Sequence, residues 1–327
     1  MTLPTLTLMT PVVPDPPLTW VVGAGGLLGG ALTARIRRSG GAVHHETVPW
    51  ADPNRSLSTL SAGMARAAAR SATLGIPWRV AWCAGAGVTA TSENALRDEV
   101  QVFARFLEAL AGIGGGAPGA LFVASSAGGL YAGSFGPPFT EHHVPRPTSA
   151  YGEAKLAMEQ AAADFANATG KPVLVGRIAN LYGPRQILSK PQGLISHICR
   201  THLRGQPISI YVPLDTVRDY LFVDDCAAMI LDALDAVDPG SGYTLKILAS
   251  QQGTTVAALL GECTRVFKRR PRVVLGASES ARFQAKDLRV RSVVLPVLDR
   301  RTLTPLPVGI GAVVAGQLRS MQVPRLF

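Results

Sequence analysis

Short apolar segments alternate with longer segments of helical character through the first half of the chain. We predict strands over residues 18–22, 42–47, 80–83, 120–124 and 172–177, and helices over residues 31–38, 57–72, 93–110 and 151–169. Strands that alternate with helices of this length form parallel βαβ units, because a parallel connection must cross one face of the sheet. The pattern therefore predicts an α/β fold with a doubly wound parallel sheet.

Composition and cysteine usage narrow the class of protein. The chain has 327 residues, of which 47% are hydrophobic and 17% are charged, a composition that is too apolar for a disordered chain. Its longest apolar stretches, residues 21–32 and 306–318, are shorter than the roughly 18 to 20 residues of a membrane span. The four cysteines lie far apart in the sequence, which indicates reduced thiols in a cytoplasmic protein and no metal site.

Basic residues exceed acidic ones by 32 to 22, which gives a formal net charge of +10. Most of them are spread along the chain, and one cluster spans residues 268–272. A nucleic-acid surface usually interleaves aromatic side chains with such a cluster, which here has only Phe267 beside it. We therefore expect an arginine-rich surface with no nucleic-acid partner. Attraction for an anionic small molecule is the alternative interpretation.

A glycine loop follows the first predicted strand. Gly23, Gly26 and Gly29 form a GxxGxxG pattern between that strand and the first helix. Glycine lets the backbone approach a pyrophosphate closely, and the helix N-terminus offers free N–H groups to the anion. We predict a dinucleotide-binding site of the Rossmann type at this loop, with Leu27 and Leu28 also in contact with the cofactor.

The end of the second strand bears on the choice between NAD and NADP. An NAD site usually has an acidic residue there, which binds the adenine ribose. Thr47 occupies the expected position and Glu46 precedes it, with Arg55 nearby for a 2′-phosphate. Both cofactors remain open, with NAD slightly favoured. Ala84, at the end of the third strand, completes the predicted cofactor contacts.

Tyr151 and Lys155 lie at positions i and i+4 of a predicted helix, and therefore on one face. A fixed ammonium stabilises a phenolate beside it, which lets tyrosine act as an acid or base at neutral pH. Ser125 and Ser126 follow the fourth strand, at the carboxyl edge where open parallel sheets bind ligands. A serine hydroxyl there can bond the same substrate oxygen as the tyrosine, and the residues alone leave both serines open.

Several motifs in the same order resemble the extended short-chain dehydrogenase/reductases, in the NAD-dependent sugar epimerase/dehydratase family typified by UDP-glucose 4-epimerase. Besides the glycine loop and the two serines, the resemblance rests on residues 147–155 (PTSAYGEAK), 177–184 (RIANLYGP) and 218–225 (RDYLFVDD). It runs from about residue 19 to residue 236, and more loosely to the C-terminus. It implies a Rossmann-type cofactor domain, a smaller substrate lobe and a cytoplasmic homodimer.

The resemblance also implies catalytic roles. Tyr151 would be the acid/base, and Lys155 would hold the nicotinamide ribose and tune the tyrosine. Ser126, which lies 25 residues before Tyr151, would bond the reacting oxygen, with Ser125 as the alternative.

Two further matches concern the substrate. Asn180 and Arg218 would bind the nucleotide diphosphate, a role that suits the bidentate guanidinium group of arginine. The other interpretation of Arg218 is a salt bridge to Asp219 or Asp224.

The domain organisation follows from the pattern and the resemblance together. Residues 1–17 contain five prolines and no basic segment, so we expect a flexible leader without a signal peptide. Residues 18–178, with about 218–238, form the dinucleotide-binding domain, and about 179–217 and 239–327 form a smaller interleaved lobe. The homodimer would use helices 93–110 and 151–169, whose apolar faces could equally belong to the core.

Three departures from the family pattern narrow the expected activity. About thirty residues separate the second strand from Val80, too few for the family's additional strand and its adenine-binding aspartate. Residues 127–129 (AGG) follow Ser126 where dehydratases carry acidic residues, which disfavours β-elimination. Residues 212–216 stand where many relatives have a glycine-rich turn, which indicates unusual substrate selectivity.

The leading hypothesis is an NAD(P)-dependent epimerase that acts on a nucleotide-linked sugar by transient hydride transfer. The alternative is a ketoreductase or dehydrogenase of a sugar or secondary-metabolite pathway, because the same residues serve both reactions. A dinucleotide-binding protein without catalysis is disfavoured by the intact Ser/Tyr/Lys set.

Overall fold

The computed structural model describes residues 15–85, 91–113, 119–188, 193–237, 240–276 and 285–322, so residues 1–14 of the expected leader lie outside the described residues. The strands are β1 (Leu18–Val22), β2 (Val43–His44), β3 (Trp78–Trp82), β4 (Leu121–Ser126), β5 (Val173–Ile178), β6 (Asn180–Tyr182), β7 (Ile208–Ile210), β8 (Val217–Phe222), β9 (Tyr243–Leu248), β10 (Gly253–Thr255) and β11 (Val273–Leu275). The helices are α1 (Leu27–Arg38), α2 (Pro53–Leu74), α3 (Glu93–Ala111), α4 (Ala127–Tyr131), α5 (Ala150–Thr169), α6 (Leu194–Leu203), α7 (Val223–Ala236), α8 (Val256–Phe267) and α9 (Leu306–Gln322).

Six strands form a parallel central sheet in the order β2-β1-β3-β4-β5-β9. Every residue of β1 and β3 is buried, because helices cover both faces of the sheet. The direction of the strand order reverses between β1 and β3, and ligands of such sheets bind outside the carboxyl ends of the strands at that point. The sheet confirms the predicted doubly wound α/β fold.

Two apolar cores lie on opposite faces of the central sheet. On one face, side chains of α2, α3 and α5, including Met64, Phe103 and Met158, pack against β1, β3, β4 and β5. On the other face, α1 and α7 contribute Leu32 and Ile230, among others. The large apolar side chains of α3 and α5 are therefore committed to the interior of the subunit.

The second lobe is built from smaller sheets. The strands β10, β8 and β6 form one sheet, β11 and β7 form another, and α6, α8 and α9 pack around them. The central sheet extends further along the chain than we expected, because α7 returns the chain to it and β9 (Tyr243–Leu248) pairs in parallel with β5. Residues 218–222, the start of the segment that the sequence analysis placed in the cofactor domain, lie in β8 of a smaller sheet.

The connection from β2 to β3 contains α2 and no further strand. Asp52 caps α2 by accepting a hydrogen bond from the N–H of Arg55 at 3.1 Å, and the helix ends at Gly75 with φ +65°. Strand β2 pairs with β1 alone and therefore lies at the edge of the sheet. It is shorter than the predicted strand over residues 42–47. Residues 45–77 therefore contain no additional strand, as the short distance along the chain from β2 to β3 indicated.

Candidate active site

The glycine loop lies at the point where the strand order reverses. Gly23 has φ +89°, and a Cβ there would lie 2.7 Å from the backbone N of Ala84. A Cβ on Gly29 would overlap the carbonyl oxygen of Gly23. Because backbone atoms cannot yield as a flexible side chain can, both positions require glycine.

The N-terminus of α1 opens from this loop. Its N-cap residue, Gly26, makes no side-chain hydrogen bond to the helix, and its own N–H donates to the carbonyl of Gly23 at 3.0 Å. Leu27 and Leu28 begin the helix, where N–H groups have no intrahelical acceptor and the helix dipole attracts an anion. The glycine loop and the first turn of α1 form a cradle that side chains at the glycine positions would fill. This cradle fits the pyrophosphate of a dinucleotide.

Beyond β2, the two candidates for the adenine ribose have different surroundings. Glu46 Oε1 accepts a hydrogen bond from Arg66 Nε of α2 at 2.7 Å and lies 3.2 Å from His44 Nε2. Thr47 is exposed. Glu46, the acidic side chain expected for an NAD site, is thus bound to Arg66 of α2. Burial lowers the pKa of the neighbouring His44.

Trp50 lies three residues beyond Thr47, in the loop that leads to α2. Its ring is 38% exposed and stands edge-on to Trp82, the last residue of β3, with 6.0 Å between the ring centroids. The indole N–H of Trp82 is buried and has no hydrogen-bond partner among the described residues. The carboxyl edge of β3 therefore presents an aromatic surface near the end of β2.

Ser126 and Tyr151 meet beside Gly129. A Cβ on Gly129 would lie 3.0 Å from Tyr151 Cε1 and 3.3 Å from Ser126 Oγ. Ser126 accepts a hydrogen bond from the N–H of Gly129 at 3.1 Å and so caps α4. Tyr151 stands in the first turn of α5, whose N-cap Ser149 fixes the start of that helix. The absence of a side chain at Gly129 keeps the hydroxyl and the phenol ring together.

Ser125 points into a buried network instead. Its Oγ donates to Glu159 Oε1 at 2.5 Å, and Glu159 forms an ion pair with Arg177, 2.6 Å between the nearest atoms. Arg177 also donates to the hydroxyl of Tyr131 at 2.7 Å. Burial by itself would lower the pKa of Arg177, but the hydrogen bonds and charges of Glu159 and Tyr131 together outweigh burial and raise that pKa. The two neighbouring serines thus have separate surroundings.

Lys155 is buried and lies one helical turn after Tyr151, with its Nζ 5.9 Å from the centre of the tyrosine ring. The ammonium donates to Glu99 Oε1 of α3 at 3.0 Å. A Cβ on Gly85, which follows Ala84, would lie 3.2 Å from Lys155 Nζ. Lys155 therefore borders the loop that follows β3. Ala84 of the same loop packs against Gly23.

Asn180 is exposed, and its Oδ1 lies 3.8 Å from where a Cβ of Gly128 would be. This places the amide beside the start of α4, on the same side as Ser126. Arg218 of β8 lies two residues from Tyr220, which pairs with Asn180. The structure thus brings Asn180 towards the Ser/Tyr pair and Arg218 to the neighbouring strand.

The acidic residues that could have formed a salt bridge with Arg218 have other partners. Arg218 Nη1 donates to its neighbour's carbonyl, Val217 O, at 2.8 Å. Asp219 accepts from the N–H groups of Ser250 and Gln252 at 2.8 and 3.1 Å. Burial raises the pKa of Asp219 to about 6, and burial also lowers the pKa of Arg218. Asp224 lies 3.8 Å from Arg38.

Several expectations concern features outside the site. All four cysteines carry free thiols, and burial raises the pKa of Cys83 to about 12. The basic cluster at residues 268–272 follows α8 and is exposed apart from Pro271. Among the described residues, no group of three His, Cys, Asp or Glu side chains could hold a metal ion, and no helix is long and apolar enough to span a membrane.

The comparisons with known proteins bear on the whole chain. A family model described as the NAD dependent epimerase/dehydratase family matches residues 19–247. The chain belongs to this family. Membership confirms the resemblance seen in the sequence motifs and the expected class of NAD-dependent enzymes.

Curated members of the epimerase/dehydratase family match a shorter segment. The dTDP-L-rhamnose 4-epimerase of Burkholderia thailandensis is 35% identical over 112 residues, which are 32% of this chain and 31% of that relative. The dTDP-glucose 4,6-dehydratase of Xanthomonas campestris pv. campestris is 31% identical over 134 residues, 41% of this chain and 37% of that relative. The matches span about a third of the length of these relatives.

Solved structures of epimerases share the whole fold. The UDP-glucose 4-epimerase of Thermotoga maritima, solved with UDP-glucose, has a TM-score of 0.75 and 19% identity, covering 93% of this chain and 100% of that one. The UDP-glucose 4-epimerase of Thermus thermophilus, in complex with NAD, has a TM-score of 0.75 and 20% identity, covering 91% and 98%. Because the sequence identity to these structures is about 20%, the likeness establishes the fold of this chain alone.

The sequence analysis did not name three residues at the candidate site, namely Trp50, Glu99 and Gly85. Glu99 is one polar residue on an amphipathic helix, and nothing in its spacing from Lys155 marks it. Gly85 follows Ala84 in a glycine- and alanine-rich segment, where its role depends on what packs against it. All three became visible only through contacts between distant parts of the chain.

Proposed function

We propose that this member of the family is an NAD-dependent epimerase that acts on a nucleotide-linked sugar. The observation that carries the proposal is the convergence of Ser126, Tyr151 and Lys155 at the carboxyl edge of the sheet, beside a loop that fits a dinucleotide. Relatives with epimerase names and neighbours solved with UDP-glucose or NAD support the substrate class and the cofactor.

The chain's own residues would hold the cofactor along the edge of β1 and β3. Gly23, Gly26 and Gly29 would receive the pyrophosphate, and Lys155 would hold the nicotinamide ribose. When bound, the oxidised nicotinamide supplies a hydride acceptor that later returns the hydride to the sugar. In place of the missing adenine-binding aspartate, the exposed ring of Trp50 offers a stacking surface near Thr47.

Tyr151 is the proposed acid/base. Its phenolate takes the proton of a sugar hydroxyl and becomes the neutral phenol, which later gives the proton back to the same oxygen. The ammonium of Lys155, one turn along α5, stabilises the phenolate that starts and ends this cycle. Ser126, on the other side of Gly129, bonds the reacting oxygen and holds it towards the phenol. Ser125 has no such role, because its hydroxyl is bound to Glu159.

The surroundings of Ser126 favour epimerisation over dehydration. Ala127, Gly128 and Gly129 follow the serine, so the first turn of α4 brings no carboxylate to the reacting carbon. β-Elimination needs a base at the neighbouring carbon in addition to the tyrosine. Asn180 and Arg218 would bind the diphosphate of the substrate, in keeping with the charge and geometry of amide and guanidinium groups.

Replacing Tyr151 by phenylalanine tests this proposal. We expect Tyr151→Phe to lower the turnover of a nucleotide sugar by about 10²-fold or more, the usual contribution of a general acid/base, while bound cofactor is retained. Turnover is followed by separating the two sugar epimers by chromatography. Turnover within about threefold of the wild-type value would exclude Tyr151 as the acid/base and with it the proposed mechanism.

A further inference from the structure

Glu99 and Lys155 form a buried ion pair at the edge of the proposed active site. Their nearest atoms are 3.0 Å apart, and the side chains are 10% and 6% exposed. Water screens charges poorly in such a place, so each charge acts on its surroundings over a longer distance than it would at the surface. The mechanism proposed above uses the lysine and leaves the carboxylate unexplained.

The contacts of the Lys155 ammonium show where the ion pair lies. A lysine ammonium has three N–H donors. One donates to Glu99 Oε1, and Met158 Sδ lies 3.6 Å from the same nitrogen. A Cβ on Gly85 would lie 3.4 Å from Glu99 Oε1, so this glycine keeps the loop after β3 against the pair. The carboxylate is therefore part of the wall of the proposed cofactor site.

We propose that Glu99 makes the site prefer the oxidised cofactor, an inference that rests on the proposed function. The oxidised nicotinamide ring carries a positive charge and the reduced ring is neutral. A buried ammonium at Lys155 repels that charge, and the carboxylate of Glu99 offsets the repulsion. Glu99 is thus a positioning residue for Lys155 and also stabilises bound NAD⁺ more than bound NADH. An epimerase regenerates NAD⁺ at the end of every turnover, so the carboxylate favours the form of the cofactor in which the cycle begins and ends.

The test measures the affinities of NAD⁺ and NADH by calorimetric titration of the cofactor-free protein. We expect Glu99→Gln to lower the ratio of NAD⁺ affinity to NADH affinity by about tenfold or more, as the loss of one poorly screened charge would do. The control is Asp98→Asn, which removes an exposed charge from the same helix and should leave the ratio within about twofold. An unchanged ratio in Glu99→Gln, or an equal loss of both affinities, would overturn the inference.

A double variant keeps the test decisive if Glu99→Gln does not fold, since removal of one partner leaves the other charge buried and unpaired. Glu99→Gln with Lys155→Met removes both charges together. If the carboxylate offsets the ammonium, the double variant keeps the wild-type ratio within about threefold, although both affinities fall. A rise of this affinity ratio by about tenfold in the double variant would show that Glu99 does not offset the charge of the ammonium, and it would overturn the inference. Failure of the wild-type protein to bind either cofactor would overturn the proposed function itself.

Discussion

At the scale of single residues, the adjacent Ser125 and Ser126 have different surroundings and therefore different proposed roles. Ser126 and the ring of Tyr151 both border Gly129, and Ser125 donates to the buried Glu159. Successive residues of a strand point to opposite faces of the sheet, so one hydroxyl faces the ligand edge and the other faces α5.

The serines provide a matched pair of variants. We expect Ser126→Ala to lower turnover by about 10²-fold or more, because it removes the hydroxyl that holds the reacting oxygen. Ser125→Ala should keep turnover within about threefold and lower the free energy of unfolding by about 1 to 3 kcal/mol, the cost of a lost hydrogen bond to a buried carboxylate. Chemical denaturation and product chromatography measure the two effects. The reverse assignment of the effects would contradict the proposed role of Ser126.

The sequence singled out Tyr151, Lys155 and both serines as candidates, because each lies in a motif or follows a recognisable strand. It left the choice between Ser125 and Ser126 open on the residues alone, since that choice depends on Glu159, 34 residues away from Ser125. Glu99 was missed for the same reason. Its partner is 56 residues distant, and an ion pair of that kind has no local pattern.

At the scale of elements, the β1–loop–α1 unit was the most predictable part of the chain. Glycines at fixed offsets between a buried strand and a helix have a local cause in backbone sterics and helix capping. The edge strand β2 was less predictable, because its length depends on having a single neighbour. The placement of β9 in the central sheet depended on where α7 returns the chain, which the pattern of residues after 178 does not show.

Substitution in the glycine loop tests the cofactor cradle. We expect Gly29→Ala to weaken NAD binding by about 10²-fold or more, because its Cβ would overlap the carbonyl of Gly23 and displace the loop. The matched control is Gly261→Ala in α8, where no atom lies within 4 Å of a new Cβ. That change should leave binding unaltered and stabilise the protein by roughly 0.5 to 1 kcal/mol. Equal NAD affinities in the two variants would argue against the cradle.

At the scale of the whole molecule, the described residues form two apolar cores on the faces of the central sheet, a third core in the smaller lobe and a smaller fourth cluster that includes Tyr131 and Phe139. The large apolar side chains of α3 and α5 belong to the first of these cores, so they do not form an exposed face for a partner subunit. The homodimer remains a prediction from the family resemblance. The polar residues on the outer faces of these helices would have to form such an interface.

The half-buried His44 should make the stability of the whole fold depend on pH. Burial lowers the pKa of His44 below its ordinary value of 6.5, so its contribution is present above that pH and is lost as the pH falls. We expect a smaller drop in melting temperature between pH 7 and pH 5 for His44→Gln than for the wild-type protein. His202 and Asp219, whose pKa values are also shifted, are unchanged in both proteins and cancel in the comparison. The exposed His142 serves as a control, and equal drops in wild type and His44→Gln would contradict the prediction.

The most direct test of the account is the identity of the nucleotide that the freshly purified protein carries. Denaturation releases any bound cofactor, which chromatography and mass spectrometry then identify. An epimerase recycles its cofactor without exchanging it, so we expect NAD, close to one molecule per chain. Protein that is empty as purified and binds NADPH on titration would contradict the account and indicate a reductase that exchanges its cofactor at every turnover.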